Sequence, residues 1–181
     1  MADAAPAAPL RRLFFALWPD AGAATALEAA ARLAHAACGG RCLQRDSLHL
    51  TLAFLGDLPA ERAAAAEAAA ADLAGEAFPL RLDRLGYWRH NRILWAGCDL
   101  PPPLAALAAE LAARLGAAGF TLEARPFAAH VSLLRNARCQ TPPALDAPID
   151  WPVGGFVLVE SQLSRSGARY QVRRRWPLRS A

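Results

Sequence analysis

The chain has 181 residues, is 55% hydrophobic and carries a formal net charge of +4. That length fits one domain, or one domain of two lobes, and no run of 18 or more strongly apolar residues is present to form a membrane span. All twenty basic residues are arginine, which excludes Schiff-base and lysyl-adenylate chemistry and the lysine-bearing phosphate loop of nucleotide hydrolases.

Residues 1–9 are small and rich in proline and alanine, with no basic stretch ahead of an apolar run. They are expected to form a flexible tail rather than a signal peptide. Residues 10–181 are expected to form a single bilobal domain, cytoplasmic and monomeric. Leu10 to Leu17 is an apolar run closed by Trp18-Pro19-Asp20, the pattern of a buried strand. Asp20 is placed to cap a helix that runs to about Ala37 and stops at Gly39-Gly40. A strand is expected from Ser47 to Leu55, closed by Gly56-Asp57. Pro59 opens an alanine-rich helix to about Ala74, proline being tolerated in the first turn. Phe78 to Leu85 and Arg92 to Cys98 read as the two arms of a hairpin. Pro101-Pro102-Pro103 starts a helix whose leucines at 104, 107, 111 and 115 form one apolar stripe, ended by Gly116 and Gly119. A strand over Ala128 to Leu134 precedes a proline-rich loop, Thr141 to Pro152. Gly155 to Leu163 and Ala168 to Trp176 close the chain as two strands around Ser164 to Gly167. Interleaved hairpins and helices predict an α+β fold rather than a wound parallel sheet.

The four cysteines are Cys38, Cys42, Cys98 and Cys139. Only the first two lie close in sequence, so no zinc spacing is completed. All four are read as free thiols of a reducing compartment.

Two segments repeat one pattern. Leu48-His49-Leu50-Thr51-Leu52-Ala53-Phe54 and His130-Val131-Ser132-Leu133-Leu134-Arg135 each place a hydroxyl residue two positions after a histidine. Side chains alternate along a strand. His49 and Thr51 therefore share a face, as do His130 and Ser132, while the intervening apolar residues point into a core. A duplicated site with two matched halves is expected.

Histidine is the side chain whose ordinary pKa lies near neutrality. One neutral imidazole can take a proton while a protonated one gives a proton. Phosphodiester cleavage needs both acts on opposite sides of phosphorus. Thr51 and Ser132 are placed to donate hydrogen bonds to non-bridging phosphate oxygens, where transition-state charge must be held. Arg135, near its strand end, adds a fixed positive charge. The scheme needs no metal and no cofactor, and no carboxylate cluster suited to a magnesium pair stands out.

On these residues the chain resembles the two-histidine (2H) phosphoesterases. His49 to Gly56, HLTLAFLG, is similar to their first signature, and Arg125 to Arg135, RPFAAHVSLLR, to their second. The flanks Arg12 to Ala16, Arg92 to Gly97, and Arg169-Tyr170 to Arg175-Trp176 are similar to the bacterial RNA 2′,3′-cyclic phosphodiesterases, first described as 2′-5′ RNA ligases. The resemblance implies a bilobal, pseudo-twofold fold with antiparallel sheets lining a central cleft and helices outside. It implies hydrolysis of a terminal 2′,3′-cyclic phosphate on RNA to a 2′-phosphate, with no metal. On that pattern His130 is the general base for water and His49 the general acid for the 3′ oxygen; the residues alone do not rank the two. Two departures stand out: Ser132 replaces a threonine, losing β-branched stiffness, and Ala129 replaces a proline.

The remaining candidates divide. Phe15 and Tyr170 are candidates to stack on a base. Phe54 is read as core, on the face of Leu50 and Leu52. His35 and His90 are read as solvated, and Arg173-Arg174-Arg175 as a solvated strand with its middle member on the opposite face. Arg11 and Arg12 stay ambiguous. Two other functions remain open: 2′-5′ ligation by the reverse reaction, and an RNA-binding module without turnover. Within the enzyme class the cyclic phosphate of another small nucleotide is also open.

Overall fold

The computed structural model describes residues 10–164 and 167–180, with side chains described outside 163–167. Residues 1–9, expected to form a flexible tail, lie outside the described residues, as do residues 165, 166 and 181.

Two four-stranded antiparallel sheets form the frame. Strand β1 (Leu10–Leu17) pairs with β3 (Leu50–Pro59) on one side and β9 (Gly155–Ser164) on the other; β10 (Gly167–Pro177) completes the order β10-β9-β1-β3. The second sheet runs β2-β7-β6-β5, from β2 (Arg41–Cys42), β7 (His130–Arg135), β6 (Ile93–Gly97) and β5 (Arg84–Trp88). Strand β3 lies against β7, so the two histidine segments meet where the lobes join.

Each lobe carries one β-helix-β unit with adjacent antiparallel strands, and the helices are exchanged. Helix α1 (Ala21–Cys38) leaves β1 and packs on β6 and β7 of the other lobe. Helix α3 (Pro102–Ala117) leaves β6 and packs against β3 of the first. This reciprocal packing is the pseudo-twofold relation implied by the repeated motif. Asp20 caps α1 as expected, its Oδ1 accepting from the Ala23 N–H at 2.7 Å. Leu104, Leu107, Leu111 and Leu115 of α3 are all buried. Helix α2 (Ala60–Ala70), beside α3, is shorter than the expected 59–74.

Four expectations need correction. The hairpin from Phe78 does not form as one unit. Strand β4 (Phe78–Leu82) stops before Asp83 and pairs instead with β8 (Ile149–Val153); only β5 continues to β6. Strand β8 begins inside the expected proline-rich loop, Thr141 to Pro152, and runs one residue past it. Its Pro152 is tolerated because a two-stranded sheet is all edge, while Ile149, Trp151 and Val153 alternate into the core.

The cysteine reading also changes. Cys38 and Cys139 are bonded, 101 residues apart in sequence, while Cys42 and Cys98 are free. Packing of α1 on β7 brings the chain after β7 past the helix end, where the Arg138 N–H donates to the Cys38 carbonyl at 2.8 Å. Local cysteine spacing has no access to that approach.

Finally, the arginine run is not a simply alternating strand. A bulge falls at Arg173, between the Val172 and Arg174 pairings. Arg173 and Arg174 both reach Glu67, at 3.6 and 3.5 Å, and Arg173 also donates to Glu160 at 2.8 Å. Arg11 meets the same Glu160 at 2.8 Å, and Arg12 pairs with Asp57.

Candidate active site

His49 sits just ahead of β3, after a single 3₁₀ turn over Arg45–Ser47. His130 is the first residue of β7. The two rings are held in the same way. His49 Nδ1 lies 2.8 Å from the Ser47 carbonyl, and His130 Nδ1 lies 2.9 Å from the Ala128 carbonyl. A carbonyl oxygen only accepts, so each Nδ1 carries its hydrogen and donates. Each neutral ring therefore keeps its lone pair on Nε2, the nitrogen left for proton transfer.

The surroundings differ. The His49 ring stacks on Trp18 at 5.6 Å and 5°, lies 4.8 Å from Phe14, and meets Tyr170 edge-on at 5.2 Å. Burial in that aromatic enclosure lowers its pKa from 6.5 to about 4, against the raising effect of the Ser47 carbonyl; the charges of His130 and Arg135 lower it further. His130 faces Trp88 edge-on at 4.6 Å, with Trp95 behind at 6.4 Å. Burial lowers its pKa too, the Ala128 carbonyl opposes this, and the Arg125 charge adds to the lowering. Gly86 makes room for the Trp95 ring: a Cβ there would stand 2.1 Å from it.

His130, Ser132 and Thr51 line one cleft of about 810 Å³, which continues past Phe54, Trp88 and Phe127 to Ala105 and Ala109 of α3. Arg135 ends β7 and is exposed, and its charge is felt at His49, the histidine of the other lobe. Gly40, whose φ is +89°, passes close to the Arg135 backbone. A Cβ on Gly40 would come within 2.7 Å of the Arg135 carbonyl. Among the described residues no group of three or more His, Cys, Asp or Glu side chains is placed to hold a metal ion.

The structure thus gathers His49, Thr51, His130, Ser132, Arg135 and Tyr170, but not Phe15. Phe15 is fully buried against Phe156 and Trp176, at 6.3 and 5.7 Å. Its neighbour Phe14 faces His49 instead, and with Trp18 four residues on it marks the face of β1 that bears the site. That aromatic spacing was the available signal. Phe54 is corrected in the opposite direction. Register shifts between β1 and β3 leave Leu52 and Leu55 without partners, pairing Ala16 with Thr51 but Phe14 with Phe54. Two bulges reset the alternation, so Phe54 lines the cleft beneath the Arg12 guanidinium, 4.8 Å from its ring centre. His90 is exposed as expected, and it lies on the cleft wall.

Two lobes with exchanged helices, each offering one Nδ1-tethered histidine and a hydroxyl two residues on, define a two-histidine phosphoesterase fold. Residues 17–95 match the model of the LigT-like phosphoesterase family. The chain is 37% identical over 141 residues to the RNA 2′,3′-cyclic phosphodiesterase of Escherichia coli K12, covering 77% of this chain and 80% of that one. It is 31% identical over 180 residues to the protein of the same name from Thermus thermophilus, covering 93% and 90%. Crystal structures of E. coli LigT in apo form and complexed with 3′-AMP each align at a TM-score of 0.84 and 34% identity. They cover 95% and 93% of this chain, and 99% and 98% of LigT. The chain belongs to the LigT-like phosphoesterase family.

Proposed function

We propose that this protein hydrolyses the terminal 2′,3′-cyclic phosphate of RNA to a 2′-phosphate, using His49 and His130 as its proton-transfer pair and no metal. The pairing of two equivalently tethered imidazoles across the lobe junction carries the reading. The names of the E. coli and T. thermophilus relatives, and a LigT structure with a nucleotide monophosphate, support the substrate class.

In the proposed reaction the five-membered cyclic diester sits between the rings. His130 Nε2 takes a proton from water as the water oxygen bonds to phosphorus. The bond from phosphorus to the 3′ oxygen breaks, and protonated His49 delivers a proton to that oxygen. The product is a 2′-phosphomonoester with a free 3′-hydroxyl, and the pair has exchanged its proton. Thr51 and Ser132 donate to the non-bridging oxygens, and Arg135 balances their charge. In the free protein His49, lowered to about 4, is neutral at pH 7. Its acid role depends on the bound phosphate anion, which raises an imidazolium pKa as surely as neighbouring cations lower it. NMR titration with a 2′-nucleotide product should therefore move the His49 pKa upward by more than one unit.

Product analysis is the direct test. An oligonucleotide ending in a 2′,3′-cyclic phosphate should be opened in the presence of EDTA, leaving phosphate on the 2′ oxygen. A 3′-phosphate product would reverse the geometry. Salt-sensitive binding without turnover would leave an RNA-binding module.

A further inference from the structure

The cleft runs well beyond Thr51, His130 and Ser132, the lining residues that the proposed reaction uses. A space of about 810 Å³ lies near the top of the range for small-molecule pockets, and it extends along Ala105, Ala108, Ala109 and Ala112 of α3. The added length has one basic arginine on its wall. Among the described residues that line the cleft, Arg125 is the one arginine and Glu123 the one carboxylate. Arg135 serves the other side, its charge reaching His49, whereas the charge of Arg125 reaches His130.

We propose that Arg125 binds a second phosphate, the phosphodiester preceding the terminal nucleotide, so that the site favours an oligonucleotide end over a lone nucleoside cyclic phosphate. The proposal rests on the cyclic-phosphate reading above. Arg125 and His130 are five residues apart, a span of at most about 18 Å when fully extended, and both line the same cleft, so one RNA end can reach both. The Arg125 side chain is 75% exposed and lines the cleft. Both its Nε, at 3.2 Å, and its Nη2, at 2.6 Å, donate to one Glu123 oxygen. This is the forked donor arrangement that a phosphate oxygen pair accepts equally well. Glu123 holds the fork ready, and an ion pair this exposed is weak enough for a phosphate to replace it. The terminal phosphate has its own partners in the histidines, Thr51, Ser132 and Arg135, which leaves Arg125 for the next one.

The test exchanges charge on both sides of the contact. kcat/KM is measured for a dinucleotide with a terminal 2′,3′-cyclic phosphate whose internal linkage is either the native phosphodiester or a neutral methylphosphonate. The unsubstituted protein should prefer the native linkage by about tenfold, the value of one charge-assisted contact. Arg125→Ala should bring that ratio to near one, whatever it does to the rate on a nucleoside cyclic phosphate, because effects passed through His130 cancel in the ratio. Glu123→Gln should raise the ratio, and Arg125→Lys should restore part of it. A ratio that is unchanged in Arg125→Ala overturns the proposal, as does a ratio of one in the unsubstituted protein. Failure to hydrolyse any 2′,3′-cyclic phosphate would instead sink the reaction on which it rests.

Discussion

The two histidine segments share their local design and differ in their surroundings. Both rings donate Nδ1–H to the carbonyl two residues back, and both are followed two residues on by a hydroxyl. Yet His49 is enclosed by Phe14, Trp18 and Tyr170, whereas His130 lies open to the cleft beside Trp88. The repeated motif therefore fixes tautomer and chemistry equally in both lobes, while packing by residues distant in sequence sets each proton affinity separately. Two imidazoles of equal affinity would compete for one proton. Unequal enclosure sets the rings apart: in the free protein the buried His49 is the harder one to protonate, and in the proposed reaction it is the bound phosphate anion that makes it the acid.

Removing either half breaks the comparison most severely. His49→Ala and His130→Ala should each reduce kcat for a 2′,3′-cyclic phosphate by about 10²- to 10⁴-fold, with circular dichroism and melting unchanged in character. Full activity in either variant would refute the pair. The next largest effect separates neighbours on β1. Phe15→Ala should cost about 3–5 kcal/mol in denaturant unfolding, as a large side chain lost from a closed core. Phe14→Ala should cost less stability and raise the His49 pKa by opening its enclosure. An equal stability loss at both positions would contradict the assignment of faces.

The hydroxyls test how alike the halves are. Thr51→Val and Ser132→Ala should each lower kcat by about 10–10³-fold, the range for one transition-state donor. A large effect at one alone would show that the phosphate leans toward that lobe. A last effect is on pH-dependent stability. His49 titrates near 4 when folded and at 6.5 when free. Between those values the unfolded chain binds the extra proton, so stability is full above 6.5, falls as pH drops toward 4, and levels off below. The loss is about 3 kcal/mol at most. Urea unfolding at pH 7 and pH 4 should show it, and His49→Ala should remove most of the difference.

Much of this site was legible because its chemistry is local. Period-two alternation put His49 with Thr51 and His130 with Ser132, and the cap at Asp20 and the α3 leucine stripe needed only near neighbours. Errors arose where a second strand decides. Phe54 and Arg173 changed faces through bulges, which exist only in the register between paired strands. Adjacent phenylalanines do not by themselves say which face of a buried strand meets the cleft; the even spacing from Phe14 to Trp18 is the signal that separates Phe14 from Phe15. Arg125 was visible in the second signature, but nothing nearby in sequence placed it on the wall of the cleft that His130 and Ser132 line.

By itself the sequence determined the two histidine–hydroxyl pairs, the three helices and the α+β character, since each follows from side-chain periodicity within a few residues. Tertiary structure alone decided the exchange of α1 and α3 between lobes, the bond between Cys38 and Cys139, the approach of Arg135 to His49, and the unequal burial of the two rings. Those features depend on contacts between residues far apart in the chain, and desolvation at such contacts, rather than any local pattern, sets the proton affinity of an imidazole.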